Sequence, residues 1–265
     1  MATGMTLAVI SLAMAAGNIA IYYPKMMSNR ATLWPRREQA VMALVLLLAV
    51  ASFFLHPGII GYVVGAIAVV PAALFLLGTT TSGLPSQQPA VMVDATAPDF
   101  AARDGDGREF RLADLHGSPV LLKFYRGYWC PYCVAELTQL NSFAKDFAAM
   151  GVKLVAVSSD RVDELRPFKR KHAWEITLVA DAELAVHRLY NVQQRNFAPK
   201  RGPFRDLAIP TTILIDRDGR ILWIEQAIDF RVRPQAAMVL AKTRALLSTT
   251  GPHGRATTAC DVCAG

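Results

Sequence analysis

From Gln39 to Val93 this chain contains no Asp, Glu, Lys or Arg. A domain surrounded by water needs ionisable residues on its exposed faces, so a stretch this long without them belongs in a bilayer. Within it, Gln39–Leu55 and Gly58–Gly78 are apolar runs separated by His56-Pro57-Gly58. Proline and glycine end one helix there and turn the chain tightly, which predicts a helical hairpin. The first run is at the short end of the spanning range. Upstream, no charged residue occurs between Met1 and Pro24, and Met5–Tyr23 is long enough to make a third crossing, with Asn18 as its polar interruption. A secretory signal peptide is the competing reading of that first run, but it calls for Lys or Arg ahead of the apolar core, and none is there. The expectation is a membrane region over residues 1–78 with helices near 5–23, 39–55 and 58–78. Gly61, Gly65 and Ala68 recur on one face of the last helix, where small residues allow close packing. The glycine content usual in membrane helices explains them as well.

Lys25, Arg30, Arg36 and Arg37 lie in the loop between the first two helices. None lies before Met5, in the hairpin turn, or in the twenty residues after the third helix. The positive-inside rule then predicts a multi-pass protein with that loop in the cytoplasm. In a bacterium this is the inner or plasma membrane. The part following the third helix is also placed in the cytoplasm. Residues 79–96, rich in Thr, Ser, Pro, Gln and Gly, read as a flexible linker.

A different composition begins at Ala97, and residues 97–248 read as one domain. The apolar share of the whole chain, 53%, is raised by the N-terminal region. Asp104-Gly105-Asp106-Gly107 marks a turn between short strands. Val120-Leu121-Leu122-Lys123-Phe124-Tyr125 reads as a strand and Pro131–Met150 as a helix, ended by Gly151. Strands follow at 152–157 and 176–179, with helices at 161–172 and 182–190. A hairpin comes next, Thr212–Ile215 and Ile221–Ile224 around Asp216-Arg217-Asp218-Gly219, and then a helix opened by Pro234. Strands alternating with helices argue an α/β sandwich on a central sheet.

At the first strand-to-helix junction stands Cys130-Pro131-Tyr132-Cys133. A cysteine there meets the unpaired N–H groups and the positive end of the helix dipole, which favour the reactive thiolate. Two cysteines separated by two residues can close a disulfide across the first turn. The pair reads as a redox dithiol, with Cys130 attacking and Cys133 resolving. The bland alternatives are an inert buried pair or half of a zinc site. The zinc reading lacks two further ligands nearby, so no metal is expected. No flavin, haem or nucleotide motif occurs, and no cofactor is expected. The formal net charge is +7, but the basic residues are scattered and not grouped with aromatics, so no nucleic-acid partner is indicated.

Four segments, Ala97-Pro98-Asp99-Phe100, Leu112–Gly117, Phe124–Cys133, and Ile209-Pro210-Thr211 ahead of Ile215–Gly219, together resemble the thioredoxin fold. More closely, they resemble its peroxiredoxin-like branch, the alkyl hydroperoxide reductase/thiol-specific antioxidant (AhpC/TSA) family. The resemblance covers about Ala97 to Leu247. It implies a thioredoxin-like sandwich of central mixed sheet and flanking helices, preceded here by the membrane helices. It implies thiol redox chemistry at Cys130 and Cys133. It also implies a cis Pro210 set against them, with the neighbouring backbone pairing a substrate peptide. Arg126, Trp129, Pro131 and Thr211 are the supporting residues, and Tyr128 stands with Trp129 as a wall of the site. Lys123 and Glu136 are candidates for proton transfer or, more plainly, charges paired locally.

Two departures bear on the chemistry. The family's peroxidatic cysteine has a threonine or serine three residues before it and a proline four before that, where this chain has Gly127 and Lys123. Its peroxide-polarising arginine has no counterpart at Ile209-Pro210. These favour disulfide exchange over peroxide reduction. The leading reading is a membrane-anchored thiol-disulfide oxidoreductase acting on protein disulfides or oxidised thiols. The alternative is a thiol peroxidase reducing hydroperoxides through Cys130. Either is served by a thioredoxin-like or glutathione-like reductant. A third reading, from another class, is a membrane binding or assembly module with a structural CxxC. Residues 249–265 read as a disordered tail. It carries Cys260-Asp261-Val262-Cys263, which suits a second electron-passing dithiol, an incidental pair, or metal capture with His253.

Overall fold

The structure, a computed structural model, describes residues 2–195 and 206–249. The tail pair Cys260 and Cys263, with His253, lies outside the described residues. The chain divides into two units, Met1–Gly83 and Leu84–Gly265.

The first unit consists of α1 (Ala2–Met27), α2 (Arg36–Phe54) and α3 (Gly58–Thr80). All three are long and apolar enough to cross a membrane, and they place the chain at one. The buried faces of α1 and α3 are mostly small or polar, with Gly4, Ala8, Ser11, Ala15 and Asn18 on α1 and Gly61, Gly65, Ala68 and Ala72 on α3, and α2 sets Met42 and Val45 against them. Large apolar side chains such as Leu47, Ile59 and Leu74 point outward. This inverts the soluble pattern. Lipid is as apolar as leucine, so helices associate by close packing rather than by hiding apolar surface. The α3 glycines are therefore more than composition. A Cβ on Gly65 would stand 2.6 Å from the Phe53 ring, and one on Gly61 would stand 2.4 Å from the Pro57 side chain. The polar residues in this unit are paired: Asn18 donates to the Glu38 carbonyl and Gln39 to the Thr79 hydroxyl.

The second unit is built on a seven-stranded mixed sheet of order β2-β1-β5-β4-β3-β8-β9. Its strands are β1 (Ala101–Asp104), β2 (Glu109–Arg111), β3 (Val120–Phe124), β4 (Lys153–Ser158), β5 (Thr177–Ala180), β8 (Thr211–Ile215) and β9 (Ile221–Gln226). Strand β3 is central, parallel to β4 and antiparallel to β8. A strand covered on both faces has no reason to alternate, and all five β3 residues are buried. Leu121 and Tyr125 pack with the Cys130–Leu140 segment on one face, and Leu122 and Phe124 with Val186 and Tyr190 on the other. This is the thioredoxin-like layering.

Three local expectations are revised. The single helix expected over Pro131–Met150 is two, α4 (Pro131–Ser142) and α5 (Ala144–Ala149), broken at Phe143. Asn141 and Ser142 are weak helix formers, and the Phe143 N–H turns to the Leu140 carbonyl in a tighter turn. Residues 84–96 are no free linker. Leu84 N–H donates to Ile228, Ala90 N–H to Tyr190 and Asp94 N–H to Ile221, and Val91 is buried in the core. Their composition is that of a linker, but these backbone groups and one apolar side chain find partners on the folded unit. Finally, β6 (Gln193–Gln194) and β7 (Leu207–Ala208) form a small antiparallel pair that no periodicity announced. The remaining helices are α6 (Val162–His172), α7 (Ala185–Leu189) and α8 (Ala236–Thr249).

Candidate active site

Strand β3 carries the chain to the site. Phe124 pairs with Thr211, and Tyr125 extends the pairing to β4 through its N–H to the Val157 carbonyl. The chain then leaves the sheet at Arg126-Gly127. Gly127 has φ +150°, which L side chains rarely adopt. A Cβ there would lie 2.5 Å from Trp129 Nε1 and 2.6 Å from Asp160 Oδ1, so only glycine fits. The turn is pinned from β4. Asp160 Oδ2 accepts from the Tyr128 N–H at 2.9 Å and from the Ser158 hydroxyl at 2.8 Å. Burial pushes the Asp160 carboxyl up to about 7.

Cys130 caps α4 in an extended conformation and Pro131 is the first helical residue, where a missing N–H costs nothing. Both cysteines are reduced and buried, with Cys130 3% exposed and Cys133 fully enclosed. Burial alone would raise the Cys133 thiol. The hydrogen bond from Cys130, the Arg233 guanidinium at 3.7 Å and the Arg126 backbone N–H outweigh it and bring Cys133 down to about 6. Cys130 moves the other way, well above the usual thiol range, because its proton is engaged with Cys133 and because it is buried. These opposite directions favour the thiolate on Cys133, one turn into the helix from the Cys130 of the sequence reading. The helix terminus favours either sulfur, and the hydrogen bond from Cys130, with the Arg233 guanidinium after it, tips the charge toward Cys133. The two sulfurs titrate as one coupled pair.

Beneath Cys133 lies a buried charged chain. Glu136 Oε1 takes Lys123 Nζ at 2.6 Å and its Oε2 faces Arg233 Nε at 3.1 Å, while Lys123 also reaches Thr212 Oγ1 at 3.0 Å. Lys123 and Glu136 are thus paired with each other but not solvated. Burial holds the Lys123 ammonium below its usual range. Arg126, the sequence candidate for a cation near Cys130, is buried with its guanidinium 4.6 Å over the Phe230 ring, and it acts on both sulfurs electrostatically. Trp129 packs on the core beside Cys130, while Tyr128 is more than a third exposed and Pro131 is exposed.

Pro210 leads into β8, which Thr211 begins at the same sheet end, opposite Phe124. Here the family expectation is corrected, because the Ile209–Pro210 bond is trans. Backbone pairing is complete around that isomer. Ile209 N–H donates to the Val192 carbonyl at 2.7 Å and the Pro210 carbonyl accepts from Ala227 N–H at 2.9 Å. The segment that continues β6 and β7 thereby occupies the backbone N–H of Ile209, on one side of Pro210. Arg233 and Asp160 were not singled out from sequence. Asp160 follows the end of a strand parallel to β3, a position where sites in such sheets gather, and that signal was available. Arg233 carried no local signal. Among the described residues no group of three or more His, Cys, Asp or Glu is arranged to hold a metal.

A buried dithiol at the strand-to-helix turn of a thioredoxin-like sheet defines a thiol redox protein. A model of the AhpC/TSA family matches residues 93–224. The thiol-disulfide oxidoreductase ResA of Geobacillus thermodenitrificans is 32% identical over 137 residues, 51% of this chain and 70% of that protein. ResA of Bacillus thuringiensis is 27% identical over 165 residues, 62% and 86% of the two chains. Among solved structures, peroxidoxin BcpB of Mycobacterium tuberculosis is 26% identical with a TM-score of 0.50, covering 58% of this chain and 96% of that one. A mutant of peroxiredoxin 6 of Arenicola marina has a TM-score of 0.55 at 17% identity, covering 61% and 76%, and so shares the fold. The chain belongs to the AhpC/TSA family.

Proposed function

We propose that this protein is a membrane-anchored thiol-disulfide oxidoreductase in which Cys130 exchanges with a substrate disulfide and Cys133 resolves the product. The observation that carries the choice is Gly127. The hydroxyl residue that a peroxidatic cysteine uses at this position has no room beside Trp129 and Asp160. In the exchange, the proton shared by the sulfurs passes to Cys133, and the Cys130 thiolate attacks one substrate sulfur. The second substrate sulfur leaves as a thiol. Cys133 then attacks Cys130, releases the first, and closes the Cys130–Cys133 disulfide. The substrate gains two electrons and one proton from the pair, leaving as one thiol and one thiolate, and a second proton from outside the pair completes the second thiol. Pro131 and Tyr128, exposed beside Cys130, form the approach surface. The relatives named as thiol-disulfide oxidoreductases support this reading.

The similarity to a peroxidoxin keeps a second reading alive, with Cys130 oxidised by a hydroperoxide to a sulfenic acid that condenses with Cys133. Reduced full-length protein in detergent, mixed with a protein disulfide or with hydrogen peroxide, separates them through Trp129 fluorescence. Oxidation by the disulfide is expected to be at least about tenfold the faster at equal concentration, a difference of about 1.4 kcal/mol in barrier. Faster oxidation by peroxide makes the protein a peroxidase.

Lys25, Arg30, Arg36 and Arg37 support a cytoplasmic α1–α2 loop. Three crossings then bring the redox unit to the cytoplasmic side, where thioredoxin-like or glutathione-like thiols would reduce it. A reporter fused after Thr249 is expected to score as cytoplasmic, and activity on the outer side reverses the topology.

A further inference from the structure

Four side chains beneath the dithiol form an ionic set closed to water: Cys133, Arg233, Glu136 and Lys123, none more than 5% exposed. They are linked in series, Cys133 Sγ to Arg233 at 3.7 Å, Arg233 to Glu136 at 3.1 Å and Glu136 to Lys123 at 2.6 Å. Within these four the charges cancel in the reduced protein, a thiolate and a carboxylate against a guanidinium and an ammonium, while the buried Arg126 guanidinium and Asp160 carboxyl also act on the sulfur. Disulfide formation consumes the thiolate and leaves two cations sharing one carboxylate. Charge left unbalanced in such a space is costly, and a group that can neutralise itself does so. Arginine keeps its proton in proteins, whereas a buried lysine gives it up readily.

We propose that Lys123 releases its proton as the Cys130–Cys133 disulfide forms and recovers it on reduction, making it the reservoir for the second proton of the reaction. The proposal rests on the dithiol reading above and deepens it. A substrate disulfide needs two electrons and two protons to become two thiols. The reduced pair, one thiol and one thiolate, holds both electrons but only one proton. Lys123 holds the other. In balance, Cys130–SH, Cys133–S⁻, Lys123–NH₃⁺ and R–S–S–R become the Cys130–Cys133 disulfide, Lys123–NH₂ and two R–SH. Lys123 touches no substrate and acts through Glu136 and Arg233 as a positioning residue. The groups facing it are Glu136 and Cys133 on α4, Thr212 on β8 and Arg233 ahead of α8. Burial and Arg233 already weaken its hold on the proton, while Glu136 and Cys133 strengthen it.

The test is the midpoint potential of the full-length protein in detergent, measured between pH 7.5 and 9. Asp160, at about 7 and raised in part by Cys133, adds to the slope toward the lower end of that range, and the Lys123 variants, which leave it in place, separate its share from that of Lys123. Two protons with two electrons shift the equilibrium constant hundredfold per pH unit, about 59 mV, and one proton shifts it tenfold, about 30 mV. The wild type is expected to follow the steeper line. Lys123→Arg, which keeps the cation but cannot release a proton, and Lys123→Met are both expected to follow the shallower one. Far-UV circular dichroism confirms that each is folded, and either folded variant suffices. A wild-type slope near 30 mV, or a folded variant retaining 59 mV, overturns the proposal. Failure to form the Cys130–Cys133 disulfide at any potential would instead overturn the oxidoreductase reading on which it rests.

Discussion

Cys130→Ser is expected to stop disulfide exchange, with turnover falling on the order of a thousandfold or more, to the uncatalysed background. A serine hydroxyl is scarcely ionised at pH 7 and cannot form a mixed disulfide. Cys133→Ser is expected to fail differently. Cys130 still attacks, but nothing resolves the product, so one equivalent of substrate remains covalently attached. Intact-mass measurement before and after adding dithiothreitol reads both outcomes. The two variants are the same size and sit in the same buried cluster, so a difference between them reports chemistry rather than packing. Undiminished turnover in Cys130→Ser would return the pair to a structural role and leave the membrane helices as the working part.

Arg233→Gln is expected to produce the second largest effect. The guanidinium 3.7 Å from Cys133 favours the charged form of the sulfur, so removing it raises the thiol from its position of about 6. A rise of roughly one to two units would cut the thiolate fraction at pH 7 by up to about tenfold. The midpoint of alkylation against pH should move upward, with the rate at high pH retained. Stability should change as well. A thiol whose folded value is depressed stabilises the fold fully above its unfolded value, and that contribution disappears as pH falls through about 6. Asp160 and Cys130, both raised, run the other way in wild type and variant alike, so the expected reading is the difference: between pH 5 and pH 9 the reduced wild type gains more urea resistance than the variant. Breaking a buried pair costs about 3–5 kcal/mol when a charge is left alone. Here Lys123 still faces Glu136, so the cost should fall toward the lower end of that range. An unmoved alkylation midpoint would mean that the Cys130 hydrogen bond and the Arg126 N–H set the Cys133 charge without Arg233.

Much of this molecule is written in short-range signals. A helix that must satisfy its own backbone in lipid needs some twenty apolar residues in a row, and α1 to α3 follow from that. The Asp216–Gly219 hairpin and the cysteine pair between an apolar run and a helix are equally local, and the sequence by itself determined them. The ionic set beneath Cys133 was not legible in this way. Arg233 is a hundred residues from the cysteine it contacts, and Lys123 is 89 from Thr212. In sequence, each reads as an ordinary charge on a polar stretch or a strand. Gly127 carried only a departure from a family pattern until the fold brought Asp160, from the neighbouring strand, against its empty side. The pairing of Ile209 with Val192 continues β6 and β7, two-residue strands too short for any periodicity to register. The sequence by itself determined which helices are long and apolar enough to span a membrane and where the redox pair lies, because periodicity and turn chemistry act over a few residues. Only the tertiary structure decided which sulfur bears the charge and what balances it, because burial and Coulomb energy depend on distance in space rather than along the chain.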